Sequence, residues 1–122
     1  MAITSYQDLE VWQLAMTLAV DCYKLTEAFP KHEQYGLTSQ IRRASVSIPA
    51  NIAEGYGRDQ TGMYLQFLRV SLGSARELET LLLLAGRVGL ALEDAVQPAL
   101  SQTARVSKML RSLIRSLEAT RD

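Results

Sequence analysis

The run from Leu37 to Arg58 limits the fold of this chain more than any other stretch. Apolar side chains at Leu37, Ile41, Ala44, Ile48 and Ile52 alternate with polar ones at Gln40, Arg43, Ser47, Asn51 and Glu54 at the same three-and-four spacing. That is the rhythm of an α-helix with an apolar stripe and a narrow polar one. Pro49 lies inside the run. A proline there removes the bond to the carbonyl of Ser45 and costs about 3 kcal/mol unless the helix bends or another donor steps in. The run therefore predicts a helix kinked at its proline.

The remaining segments are also helical in period. A first helix begins at Ser5, where Ser5-Tyr6-Gln7-Asp8 fits a capping box, and ends before Phe29-Pro30. Its Leu9, Trp12, Met16, Ala19 and Tyr23 make one apolar stripe, and Val11, Ala15, Leu18, Cys22 and Leu25 make the neighbouring one. About two-thirds of the circumference is then apolar, where an intramolecular bundle needs little more than 100° of arc, so a second partner surface is expected on this helix.

Pro30 to Gly36 is a connection, and Gly55 to Gly62 a glycine-rich turn in which Asp59 or Thr61 can cap the next helix. Helix three spans about Met63 to Val88, with Met63, Phe67, Val70, Leu78, Leu81, Ala85 and Val88 as its inward seam and Leu65, Leu72 and Leu83 widening it. Ser71, Gly73, Ser74 and Ala75 near its middle permit a close helix crossing, expected against Pro49. Glu77 or Glu79 is expected to pair with Arg42 or Arg43.

Helix four covers Glu93 to Thr120, with Pro98 either bending it or serving as its first helical residue. Val106, Met109, Leu110, Leu113 and Leu117 face inward, and Arg105, Lys108, Arg111 and Arg115 gather on the opposite side. Four helices with short links predict an all-α, up-and-down antiparallel four-helix bundle with residues 1–122 as one domain.

Composition narrows the function classes. With 122 residues, 48% apolar and 21% charged, the chain suits one globular domain. Thirteen basic and thirteen acidic side chains cancel, unlike the strong positive charge of a dedicated nucleic-acid domain. One cysteine, the lack of a basic segment followed by an apolar run, and the lack of a long apolar stretch give a cytoplasmic expectation.

No reaction is encoded in an evident motif. One histidine and one cysteine, with no carboxylate-histidine pairs at helical spacing, provide no metal site, and no cofactor is expected. His32 sits among charged neighbours in a connection, and Cys22 in an apolar stripe reads as an inert thiol. The glycines at 55, 57 and 62 follow a helix and are not closed by a Lys-Ser/Thr pair, so they do not form a phosphate loop. Gln40, Arg42, Arg43, Ser47, Asn51 and Glu54 remain as a candidate polar site or as a hydrogen-bonded seam against helix three. Arg105, Lys108, Arg111 and Arg115 are the candidate nucleic-acid contact.

Asp8-Leu9-Glu10-Val11-Trp12, Tyr23-Lys24-Leu25-Thr26, Phe29-Pro30, Gly36 to Ala44, Val46 to Pro49 and Asn51 to Arg58 together resemble the 23S rRNA intervening sequence proteins. The likeness continues into Phe67-Leu68, Gly73-Ser74 and Glu77-Leu78-Glu79, while helix four is similar only in pattern. The resemblance implies a small four-helix bundle assembled as a homopentamer. It also implies association with RNA or a nucleic-acid-processing protein, since a related branch is similar to the accessory proteins of diversity-generating retroelements. It implies no catalytic residues. The combined expectation is a non-catalytic interaction protein, with a small-molecule or enzymatic role at the polar stripe as the alternative.

Overall fold

In a computed structural model, which describes residues 2–120, the chain forms α1 (Glu10–Glu27), α2 (Leu37–Tyr56), α3 (Thr61–Arg87) and α4 (Glu93–Thr120). α1 packs on α2 and α4, and α3 on α2 and α4, so each helix touches its two neighbours around a closed four-helix bundle. α2 and α3 share the most extensive interface. No helix among the described residues is long and apolar enough to cross a membrane.

The core repeats in steps of three and four. Val11, Ala15, Leu18 and Cys22 face Ile41, Ala44, Ile48 and Ile52, with Ala75, Leu78, Leu82 and Ala85 from α3 and Val96, Ala99, Val106 and Leu110 from α4. Such a spacing is the seam that helices of a bundle share. Burying each large aliphatic side chain stabilises the fold by roughly 1.5–3 kcal/mol, and Leu18, Ile41, Ile48, Ile52, Leu65, Leu68, Leu78, Leu82 and Leu110 are all fully enclosed.

The capping box at Ser5 forms, but it closes a single 3-10 turn, Tyr6–Asp8, rather than the first α-helix. Leu9 is extended, and α1 begins one residue later. Tyr6 of that turn meets Trp12 edge to face, with ring centroids 5.3 Å apart.

α2 runs unbroken through Pro49. One residue earlier, the buried Ser71 hydroxyl donates to the Ile48 carbonyl at 2.9 Å, a bond from outside the helix at the expected crossing. The small residue that is sterically essential is Gly55, not Gly73. A Cβ on Gly55 would lie 2.7 Å from the Phe67 Cβ, whereas one on Gly73 would meet nothing within 4 Å.

The inward arc of α3 departs from the expected one. Met63, Val70, Leu83 and Val88 are exposed, and Leu68, Ser71, Ser74, Ala75 and Leu82 join the expected Leu65, Leu78, Leu81 and Ala85 inside. α3 is apolar around most of its circumference, so its period alone does not choose the arc; the small side chains that admit α2 do.

Neither Asp59 nor Thr61 caps α3, whose N-cap is Gln60 without a side-chain bond. Pro98 lies inside α4, the sixth residue of a helix that starts at Glu93. Ile114 is buried there, while Met109, Leu113 and Leu117 are only partly covered. Among the described residues Glu77 and Glu79 form no ion pair.

Candidate functional site

The polar stripe of α2 divides among four environments. At the middle of the helix the Ser47 and Ser74 hydroxyls share a hydrogen bond of 2.7 Å. The Asn51 amide donates to the Ser47 carbonyl at 2.8 Å and to its hydroxyl at 3.0 Å. These half-buried groups satisfy one another and tie α2 to α3, which is what a polar group removed from water requires. Glu54, one turn further on, pairs with Arg58, whose guanidinium also lies 5.0 Å from the Phe67 ring centroid.

Arg42 turns away toward α1. Its Nε donates to the Thr26 hydroxyl at 2.9 Å, and its guanidinium stacks 4.6 Å from the Tyr23 ring centroid. Thr26 itself donates to the Cys22 carbonyl at 2.8 Å and is buried. Arg42 thus links α2 to α1 through a hydroxyl, not to a carboxylate on α3. The role of Thr26 escaped the sequence reading, because a threonine gives no sign of what it accepts.

Gln40, Arg43 and Ser47 share one cleft, an open depression of about 300 Å³ that Glu77 borders from α3, and Arg43 lines a second with Arg42, Tyr23 and Tyr35. Arg43 and Glu77 have opposite charge but form no ion pair. Asn51 and Glu54 line neither cleft, so the stripe does not converge on one ligand position.

The other reactive side chains lie apart. His32 is exposed, 4.0 Å from Glu33. Cys22 is enclosed in the core, and burial, with a smaller contribution from Asp21, pushes its thiol up to about 12. At neutral pH it stays protonated and a poor nucleophile.

On α4, Arg105, Lys108, Arg111 and Arg115 are all exposed, as expected. The stripe is not free of acid, however, because Glu10 of α1 approaches Arg105 at 3.6 Å. Glu118 instead pairs with Arg69 of α3 at 2.7 Å. Lys108, Arg111 and Arg115 form no ion pair among the described residues.

A strongly apolar depression lies elsewhere, between α1 and α2. Met16, Ala19, Val20 and Tyr23 of α1 and Val46 and Pro49 of α2 line an open groove of about 460 Å³, with Lys24 and Glu27 at its rim. Met16, Val20, Tyr23 and Val46 are each between 40% and 49% exposed, so this patch is the outward remainder of the wide apolar arc on α1. Val20 and Val46 fell outside the stripes read from sequence. Their signal was that each is a β-branched apolar residue displaced from its own helix's apolar stripe.

A family model described as 23S rRNA-intervening sequence protein matches residues 7–112. Among solved structures, a protein of unknown function of the S23 ribosomal protein family from Bacteroides thetaiotaomicron superposes with a TM-score of 0.77 at 24% identity. The match covers 85% of this chain and 97% of that one, a likeness of fold. No curated protein matches the chain.

Proposed function

As the chain belongs to the 23S rRNA-intervening sequence protein family, we propose that it is a homo-oligomeric helical bundle that binds other macromolecules and catalyses no reaction. The observation that carries this reading is the division of its surface. The polar groups of α2 that could act on a ligand are largely engaged within the chain. The α1–α2 groove is apolar and open, the character of a protein-binding surface. The ring of five implied by the family resemblance gives the expected stoichiometry.

Light scattering across micromolar concentrations tests the assembly: a five-chain mass is expected, a different closed number would correct the stoichiometry, and a single-chain mass would refute the oligomer. RNA is the proposed further partner, through Lys108, Arg111 and Arg115 with Arg105 beside them. Along a helix rising 1.5 Å per residue these charges can follow phosphates without reading bases. Binding to single-stranded and duplex RNA should weaken steeply with salt and be lost when all four residues become Gln. Equal binding by that variant would remove α4 as the contact.

A second reading rests on the cleft of Gln40, Arg43, Ser47 and Glu77, whose unpaired opposite charges suit a small zwitterionic ligand. A turnover activity abolished by Glu77→Gln in a folded protein would favour it over the interaction role.

A further inference from the structure

The homo-oligomer reading leaves open which surfaces meet, and two features of the fold address that. α1 and α2 form one side of the bundle and α3 and α4 the opposite side, because α1 contacts α2 and α4 while α3 closes the ring between them. The first side carries the groove lined by Met16, Val20, Tyr23 and Val46. The connection between α3 and α4 is an exposed apolar turn, where Gly89 takes the left-handed conformation at φ 81. In that turn Val88 is 58% and Leu92 80% exposed, beside the exposed Leu83 and Leu84.

We propose that the α3–α4 turn of one copy inserts Val88 and Leu92 into the α1–α2 groove of the next, so that each chain uses both surfaces once. The inference rests on the homo-oligomer reading and specifies its contact. A concave surface does not complement itself: two grooves set face to face would enclose empty space and forgo the dispersion contacts that make burial favourable. A two-fold dimer through the groove is therefore disfavoured against a partner that fills it.

The charges agree with this pairing. Lys24 and Glu27 rim the groove, and Arg87 and Glu93 flank the turn at the ends of α3 and α4. None of the four forms an ion pair within the described chain, so each surface offers one free charge of either sign to the other. Because the two patches are formed by different residues of the chain, the contact is heterologous, and successive copies close into a ring or extend as a filament.

Two single variants test the pairing, Val20→Glu in the groove and Leu92→Glu on the turn, both at exposed positions and both checked for helical content by circular dichroism. A carboxylate forced into the apolar contact should weaken self-association by at least ~100-fold. Each variant alone should then run at the single-chain mass where the unchanged protein assembles. An equimolar mixture should yield a two-chain species and nothing larger, because one variant retains a sound turn and the other a sound groove. Either variant assembling as the unchanged protein does, or a mixture that stays single-chain, would overturn the pairing while leaving the homo-oligomer intact. A single-chain mass for the unchanged protein would overturn both.

Discussion

Two glycines of this bundle should respond in opposite directions to the same substitution. Gly73 and Gly55 are both helical, in α3 and α2, so replacing either by alanine raises helix propensity by about 1 kcal/mol. At Gly73 the new methyl group meets nothing within 4 Å, and the propensity gain stands alone. At Gly55 the methyl would lie 2.7 Å from the Phe67 Cβ and 3.0 Å from the Tyr64 ring. A Cβ cannot swing aside as a long side chain can, so α2 and α3 must separate. Overpacking of this kind costs about 1–3 kcal/mol, here at the upper end.

Propensity cancels between the two variants, and the difference in their stabilities isolates the steric cost of the crossing, ~3 kcal/mol. At roughly 4 °C per kcal/mol for a domain of this size, Gly73→Ala should melt ~4 °C above the unchanged protein and Gly55→Ala ~8 °C below it. Thermal melts followed by circular dichroism at one fixed protein concentration measure this without confusion from self-association. If the two variants melt together, the α2–α3 crossing is not close at Gly55, and the account of the interface fails.

Three further outcomes are expected. Cys22 should resist thiol reagents at pH 8 until the chain unfolds. Because its folded pKa is raised to about 12, the folded state holds a proton that the unfolded state releases, and stability should fall by ~1.4 kcal/mol per pH unit above about pH 9, a slope absent in Cys22→Ala. Asp8 is held below its usual range by the Thr4 amide first and then by the Thr4 hydroxyl and Ser5 amide. This stabilisation of the N-terminal turn is present above the unfolded carboxylate pKa and lost as pH falls through the lowered folded value. Trp12, the only tryptophan, should report the loss through its fluorescence, and Asp8→Asn should remove the transition. Ser74→Ala should cost ~1 kcal/mol in urea unfolding, with a Ser47→Ala/Ser74→Ala double-mutant cycle giving a coupling of 0.5–1.5 kcal/mol; a coupling near zero would mean the 2.7 Å hydroxyl contact contributes nothing.

What the chain alone made legible was local in origin. The starts of α2 at Leu37 and of α4 at Glu93 follow from apolar spacing and from residues that start a helix within a few positions. The wide apolar arc of α1 was equally readable, and it is the source of the exposed groove. The tertiary structure decided which arc of α3 turns inward, since a helix bearing Leu81, Leu82, Leu83 and Leu84 in succession offers several faces of similar hydrophobicity. Ser71 and Ser74 face α2, and Gly55 meets Phe67, because those small residues admit the closest approach. In the same way, only the fold brought Thr26 to Arg42 and Glu10 to Arg105. Helical period is set by neighbours along the chain, whereas the partner of a polar side chain is set by how two distant helices rotate about their axes to exclude water, and single-helix periodicity holds no record of that rotation.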